Sequence, residues 1–370
     1  MLREPRRVYV SAGEPSGDAH AADVVRALKD AGPHFDVTGM GGPSLRAAGA
    51  RIVEPSDKLA AMGVFEAATA LPRHLMAFAR VRRFFVQHPC DAAILIDYPG
   101  FHLRVAHAAR ARGIPVLYYI PPQLWAWGAW RASGLREAVR LVACVLPFEP
   151  PLFHRLSLPA TFVGHPVLDA VRPTRSEARR VLGIAGDRPV LALLPGSRPQ
   201  EIARHWPAFR QAARILTERH PDLISVLAVA PGGRYQLDRD PLTCATAPVA
   251  LAAADAALCK SGTATLDAAV AGTPMTIAYT MHRLTFALAR RLVHVPFIGL
   301  PNLIAGRRVA AELVQRAVTP AHLADAVEPL LDRHGPPARQ QREDLAFVVA
   351  RLGAPGVATR VAALAAELAA

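Results

Sequence analysis

Short apolar runs recur along the chain, most of them stopping at Gly, Pro or a polar residue and most followed by a helical pattern. In order they are VYVSAG, AAILIDYPG, VLYYIPP, LVACVLPF, VLALLPGS, LISVLAVA, AALCKSG and MTIAY. Between them lie HLRVAHAARARG, AFRQAARILTERH and TATLDAAVAG, with apolar residues at the three-to-four spacing of one helix face. Strands alternating with helices predict βαβ units and parallel sheets, an α/β class. The strands are too numerous for one open sheet of ordinary width. The polar, Pro-punctuated stretch HPVLDAVRPTRSEARRVLGIAGDRPV marks the boundary between two Rossmann-like halves. The expected organisation is therefore 1–168, 169–340 and a helical tail over 341–370. Ligands on such sheets lie beyond the carboxyl ends of the strands, so informative residues should directly follow the apolar runs, with a cleft between the halves as the expected site.

Composition narrows the class. Over 370 residues the apolar fraction is 52%, which suits packed cores and excludes a disordered chain. No apolar run reaches the ~18 residues that span a bilayer, and the N-terminus has no signal-like apolar stretch. The four cysteines show neither CxxC spacing nor a disulfide framework, which predicts reduced thiols and a cytoplasmic setting. The formal net charge of +13 favours anionic partners, although no block of consecutive basic residues resembles a nucleic-acid tail.

Several strand-following loops carry candidate chemistry. SAGEPSGD holds Gly13, Glu14, Ser16, Gly17 and Asp18. Its glycines permit close approach of a ligand, and Asp18 is positioned to cap the first helix. Glu14 would repel a pyrophosphate, so the loop suits sugar hydroxyls better; a plain capped turn is the alternative. ILIDYPGFHLR sets Asp97 at a strand tip, where a carboxylate serves as a general base or caps the next helix. LPGSRPQEI offers Gly196, Ser197 and Arg198, whose planar fork fits phosphate. KSGTATLD repeats the logic with Ser261, Gly262 and Thr263 before a helix, and Asp267 one turn inside it is placed for ribose hydroxyls. LPNLIAGRRVAAELVQ adds Asn302, Glu312 and Gln315. Trp125, Trp127 and Trp130 follow another strand as core, packing or an aromatic wall. Met62, Val64, Leu71, Leu75 and Met76, with Arg73, Arg80, Arg82 and Arg83 and the aromatic residues Phe78, Phe84 and Phe85, fit either an interfacial helix at an anionic membrane or an ordinary packed helix. No metal site is expected: there is no HExxH and no zinc spacing, and the DRD at Asp238–Asp240 has no strand leading into it. A GxSxG elbow is also absent.

Taken together, SAGEPSGD, MGVFE, IDYPGFHLR, YYIPPQLWAW, LPFE, FVGHPVLD, LPGSR, KSGTATLD and LPNLIAGR resemble the lipid-A-disaccharide synthase family of GT-B glycosyltransferases, in that family's order from Ser11 to about Gln315. The resemblance implies two Rossmann-like domains with a C-terminal helix packing back on the first. It implies transfer of a diacylglucosamine from UDP to the 6-hydroxyl of diacylglucosamine 1-phosphate, with inversion and release of UDP. Asp97 then matches the family's base and Arg198 its essential arginine, assigned to the diphosphate. Glu14 and Asp18 fall in its first Gly-rich loop, and Asn302 and Gln315 in its donor region. No cofactor or metal is implied, since UDP-diacylglucosamine is a substrate. The implied partners are the two lipid-linked sugars, the anionic inner face of the cytoplasmic membrane and, in some members, a second copy of the chain; nucleic acid is not among them. Three features depart from the family pattern: Asp267 stands where Glu is usual, Lys260 where a small residue is usual, and 231–248 is short. Rival readings are another UDP-sugar enzyme of this fold, an epimerase or a peptidoglycan-precursor transferase, and a non-catalytic binder of anionic lipid or nucleic acid.

Overall fold

A computed structural model of the chain describes residues 5–32, 34–56, 64–126, 129–230, 233–237, 242–282, 286 and 295–370, with 64–70 and 129 described as backbone only. Two compact units result, one comprising Met1–Asp169 with Leu352–Ala370 and the other Ala170–Arg351. The tail expected over 341–370 is divided between them: helix Pro336–Ala350 belongs to the second unit and helix Val357–Leu368 to the first.

The first unit begins β1 (Arg6–Ala12), α1 (Pro15–Asp30), β2 (Phe35–Gly41), α2 (Pro43–Ala47), β3 (Arg51–Pro55) and α3 (Val64–Gln87). It continues with β4 (Ala92–Ile96), α4 (Pro99–Arg110), β5 (Val116–Tyr119), α5 (Ala132–Ala138), β6 (Leu141–Cys144), α6 (Glu149–Arg155) and β7 (Ala160–Phe162). These strands form one parallel sheet in the order β3-β2-β1-β4-β5-β6-β7. The chain builds outward from β1 in one direction, then restarts at β4 and builds in the other. The terminal helix Val357–Leu368 packs on α1, β4 and β5, as the family resemblance implies. Its first turn is held by the Asp169 carboxylate, which accepts from the amides of Gly356 (2.6 Å) and Val357 (2.9 Å). An acid at a helix N-terminus answers both the unpaired amides and the helix dipole.

The second unit holds α7 (Arg175–Val181), β8 (Val190–Leu194), α8 (Pro199–Arg219), β9 (Ile224–Ala228), β10 (Thr243–Ala245), α9 (Ala247–Ala253), β11 (Ala256–Lys260), α10 (Ala264–Val270), β12 (Met275–Tyr279) and β13 (Ala311–Val314). Its parallel sheet runs β10-β9-β8-β11-β12-β13, with the reversal between β8 and β11. Leu191 and Leu193 face one core with Ile202, Trp206 and Phe209 of α8, whereas Val190, Ala192 and Leu194 face another with Ala250 and Leu251 of α9. A strand covered on both faces must be apolar at every position, which is why VLALL reads as an unbroken run.

Helix α3 corrects one sequence expectation. Phe84 and Phe85 point into the first core with Ala77 and Val81, and Phe78 packs against it, so these aromatic rings do not face solvent. Leu71, Leu75 and Met76 are about half exposed. Arg73, Arg82 and Arg83 are exposed beside them, while Arg80 is engaged by Glu54 at 2.5 Å and 2.7 Å. Val64 opens the helix, and Met62 lies outside the described residues. No helix among the described residues is long and apolar enough to cross a membrane.

Candidate active site at two sheet reversals

The two loops that flank the reversal in the first sheet are the β1–α1 turn and the β4–α4 turn, because β1 and β4 are neighbours running in parallel. A reversal of strand order splays the following helices to opposite faces and opens a crevice at the carboxyl end. Gly13 and Glu14 lie on one side, Asp97 and Tyr98 on the other. The loops touch closely: a Cβ at Gly13 would sit 2.2 Å from the Tyr98 ring. Only glycine fits there.

Asp97 is half-buried and follows the fully buried run Ala92–Ile96. Both Asp97 (φ 51°) and Tyr98 (φ 53°) adopt the left-handed conformation, and Ile120, at the tip of the neighbouring β5, does too (φ 57°). Such backbone is unfavourable for residues with side chains and for a β-branched residue is an outlier, so the surroundings must impose it. Here they do. The Asp97 amide donates to Tyr119 O at 3.0 Å. The Asp97 carbonyl accepts from the Tyr118 hydroxyl at 2.8 Å and from His102 Nδ1 at 2.7 Å. His102 is fully buried, and burial lowers its pKa to about 4, so the ring is neutral. Because a carbonyl only accepts, Nδ1 carries the proton; Nε2 then accepts from Ser11 Oγ at 2.8 Å. His74 of α3 meets the Tyr98 hydroxyl at 2.5 Å, and burial raises the Tyr98 pKa to about 12, with the nearby charge of Glu14 adding to it.

The first loop divides its two acids. Glu14 is half-buried at the N-cap of α1 and Ser16 is exposed in the first turn. Asp18 does not cap α1 and does not face outward. It is buried, and its oxygens accept from the amides of Gly42 (2.6 Å), Ser44 (2.8 Å) and Leu45 (3.3 Å), capping α2 instead.

In the second unit the same construction recurs. The β8–α8 and β11–α10 loops flank the reversal, because Leu194 pairs with Cys259 across it. Gly196 (φ +131°) and Gly262 (φ +149°) turn these loops in conformations only glycine takes readily. Ser197 and Arg198 are exposed, and Arg198 is the N-cap of α8. Glu201 accepts from the Ser197 and Arg198 amides at 3.3 Å and 3.4 Å. Its other oxygen lies 2.7 Å from Lys260 Nζ, an ion pair that ties one loop to the other. Ser261 is buried and donates to Ile298 O, and Thr263 is exposed.

Two of the expected donor contacts, Asn302 and Glu312, are corrected, and Asp267 has a partner within its own unit. Asn302 is fully buried and saturated: Nδ2 donates to Ala310 O and Glu312 Oε1, and Oδ1 accepts from the amides of Val309 and Ala310. Glu312 accepts from the amides of Ile298 and Gly299, so it caps helix Leu300–Ala305. Asp267 is paired with Arg172 at 3.1 Å, and burial raises its pKa against the lowering effect of that arginine. Gln315 stands in left-handed backbone (φ 56°) beyond β13, its Oε1 3.4 Å from the Met281 amide and its buried Nε2 without a hydrogen-bond partner among the described residues. Trp125 packs edge-on against Phe148 and donates to Glu149, and Trp130 is exposed. Trp127 and Asp238–Asp240 lie outside the described residues. No cluster of three or more potential metal ligands occurs among the described residues.

Sequence reasoning did not single out Ser11, His74, His102, Tyr118, Arg172 or Glu201. His102 had a legible signal, since five residues past Asp97 in the first turn of a helix is within reach of the strand tip.

A family model for lipid-A-disaccharide synthetase matches residues 8–351. The lipid-A-disaccharide synthase of Trichlorobacter lovleyi is 39% identical over 97% of this chain and 97% of its own. Among solved structures, the glycotransferase of kitacinnamycin superposes with a TM-score of 0.66 at 17% identity, covering 98% of this chain and 99% of its own. A UDP-GlcNAc 2-epimerase from Neisseria meningitidis bound to UDP-GlcNAc gives 0.61 at 11% identity, covering 98% of each chain. These two similarities establish the GT-B fold, which transferases and epimerases share. The near full-length family match and the close sequence relationship decide between them: the chain belongs to the lipid-A-disaccharide synthetase family.

Proposed function

We propose that the protein transfers 2,3-diacylglucosamine from UDP to the 6-hydroxyl of 2,3-diacylglucosamine 1-phosphate, forming the β-1,6 lipid A disaccharide and UDP. The family match across residues 8–351 carries this reading. The donor is α-linked and the product β-linked, so a single displacement suffices. Asp97 takes the proton of the acceptor hydroxyl as its oxygen attacks the anomeric carbon. The bond from that carbon to the diphosphate oxygen breaks, and its electron pair leaves with UDP. Arg198, exposed at the N-cap of α8, supplies positive charge where UDP departs, with Lys260 behind it. Glu14 and Ser16 offer groups for sugar hydroxyls, Ser197 and Thr263 for the nucleotide. The reading requires no metal or cofactor.

Both sugars are lipid-linked, which calls for a membrane-facing surface. Leu71, Leu75 and Met76 form an exposed apolar patch beside Arg73, Arg82 and Arg83, a pattern suited to resting on an anionic leaflet from the cytoplasmic side. A second copy of the chain is a further partner in this reading.

The test is UDP release by purified protein given UDP-2,3-diacylglucosamine and 2,3-diacylglucosamine 1-phosphate, with unacylated UDP-N-acetylglucosamine as control. Acceptor-dependent release with disaccharide formed, lost in Asp97→Asn, is the expected result. Turnover of the unacylated sugar alone would overturn it in favour of an epimerase.

A further inference from the structure

The tip of β4 poses a physical problem that the reaction does not by itself explain. Two successive residues with side chains, Asp97 and Tyr98, are left-handed, a conformation that brings Cβ against the following carbonyl oxygen and is unfavourable for both. Left alone, the turn would relax into ordinary backbone, and the Asp97 side chain would swing with it. The surrounding hydrogen bonds converge on one atom, the Asp97 carbonyl oxygen, which receives both the Tyr118 hydroxyl and His102 Nδ1. The chain of contacts continues from His102 Nε2 to Ser11 Oγ. Ser11 lies in β1 and Tyr118 in β5, the two strands that flank β4. The kink is thus fastened to its sheet neighbours on both sides, through groups that are fully buried.

The ring also resists titration. His102 packs among Tyr98, Phe101 and Tyr118, with centroids 5.8 Å, 5.9 Å and 6.4 Å away. Among the described residues no charged side chain is hydrogen-bonded to it, so the neutral form with the proton on Nδ1 is the one that fits these partners.

We propose that Ser11, His102 and Tyr118 are positioning residues that hold the left-handed kink at Asp97–Tyr98 and thereby aim the Asp97 carboxylate at the acceptor hydroxyl. The inference rests on the reading of Asp97 as the base. Its signature is a fall in kcat with KM nearly unchanged, because misaiming the base weakens the transition state without removing a ground-state contact.

Tyr118→Phe and Ser11→Ala each delete one oxygen and leave the packing in place. The expected result is a drop in kcat of about tenfold for Tyr118→Phe, the factor that one net hydrogen bond supports, with KM for donor and acceptor within about twofold of wild type. At position 102, Asn carries its amide near the place of Nδ1 and Gln near that of Nε2. His102→Asn should therefore retain more activity than His102→Gln. Asp97→Asn separates the two levels of the argument. If Asp97→Asn retains wild-type turnover, the base reading fails. If Asp97→Asn is inactive while Tyr118→Phe and Ser11→Ala both turn over at the wild-type rate, the reading stands and the positioning proposal is overturned. Rescue at position 102 by Gln as good as that by Asn, or losses that appear in KM and not in kcat, would overturn it too.

Discussion

Asp18→Ala separates a structural acid from a substrate-binding one. The Asp18 carboxylate is buried and accepts three amides from the β2–α2 turn, two of them at 2.6 Å and 2.8 Å and the third at a longer 3.3 Å. Bonds to a charged acceptor are worth about 1.5–3 kcal/mol each. Two good bonds and one weak one, all lost together and leaving buried amides unpaired, give an expected loss of about 3–5 kcal/mol. That is a large share of the ~5–15 kcal/mol that stabilises an ordinary domain. For a unit of this size it corresponds to a fall of about 10 °C in the melting temperature. Differential scanning calorimetry of the full chain would measure it, since the transition of the first unit should move while that of the second stays. Below the new transition, donor KM should remain near wild type. A melting temperature within about 2 °C of wild type, less than 1 kcal/mol, together with a raised KM, would refute the argument and return Asp18 to the substrate.

Replacing Leu71, Leu75 and Met76 together by Ser should weaken sedimentation with anionic vesicles at least tenfold. Three half-exposed side chains offer roughly 200 Å² of apolar surface, worth up to about 5 kcal/mol; unchanged binding would refute the proposed membrane role of this patch. Acid should destabilise the first unit. Burial holds His102 and His165 near 4, so the unfolded chain binds their protons first and stability is lost as pH falls from 6.5 towards 4. Burial holds Glu149 up near 7, which works the other way between 7 and 4.5, leaving a net loss of about 2 kcal/mol between pH 7 and 4.5 from these three groups; a flat melting temperature over that range would contradict it. If the proposed nucleotide site lies at these loops, Lys260→Ala should weaken UDP binding roughly tenfold by leaving Glu201 uncompensated there, and adding Glu201→Gln should restore it; calorimetric titration showing no loss in the single variant would remove Lys260 from the site.

The central strands were legible because they are covered on both faces. VYVSAG, AAILI, VLYY and LVAC are β1, β4, β5 and β6, and VLALL, LISVLAVA, AALCK and MTIAY supply β8, β9, β11 and β12. The strands that apolar runs did not mark are β2, β3, β7, β10 and β13, at or next to sheet edges. Thr38, Gly39 and Gly41 interrupt the run in β2, and the edge strands are short and only partly buried, so they need no continuous apolar sequence. At the site, position was legible and partnership was not. Asp97, Gly13, Arg198 and Gly262 follow their strands as expected, because strand tips can be found by counting. What Asp18, Asn302, Glu312 and Asp267 bind is set by amides and side chains distant in sequence, such as Arg172, ninety-five positions before Asp267. No local spacing encodes such contacts: Asp18 and Glu312 accept backbone amides, Asn302 bonds backbone and Glu312, and Asp267 pairs with Arg172.

The return of helix Val357–Leu368 to the first unit bears on how the chain is made. A ribosome releases β1 to β7 early, yet α1 waits for the helix that packs on it until the whole second unit has been synthesised. At ~5–20 residues per second the wait is on the order of ten seconds or more. During it, the apolar ground on α1, β4 and β5 stands open to water, and the turn at Asp169 has no helix to cap. The nascent chain is therefore most exposed to misassociation while its second half is folding, and cutting the gene after Asp169 would make that temporary state permanent.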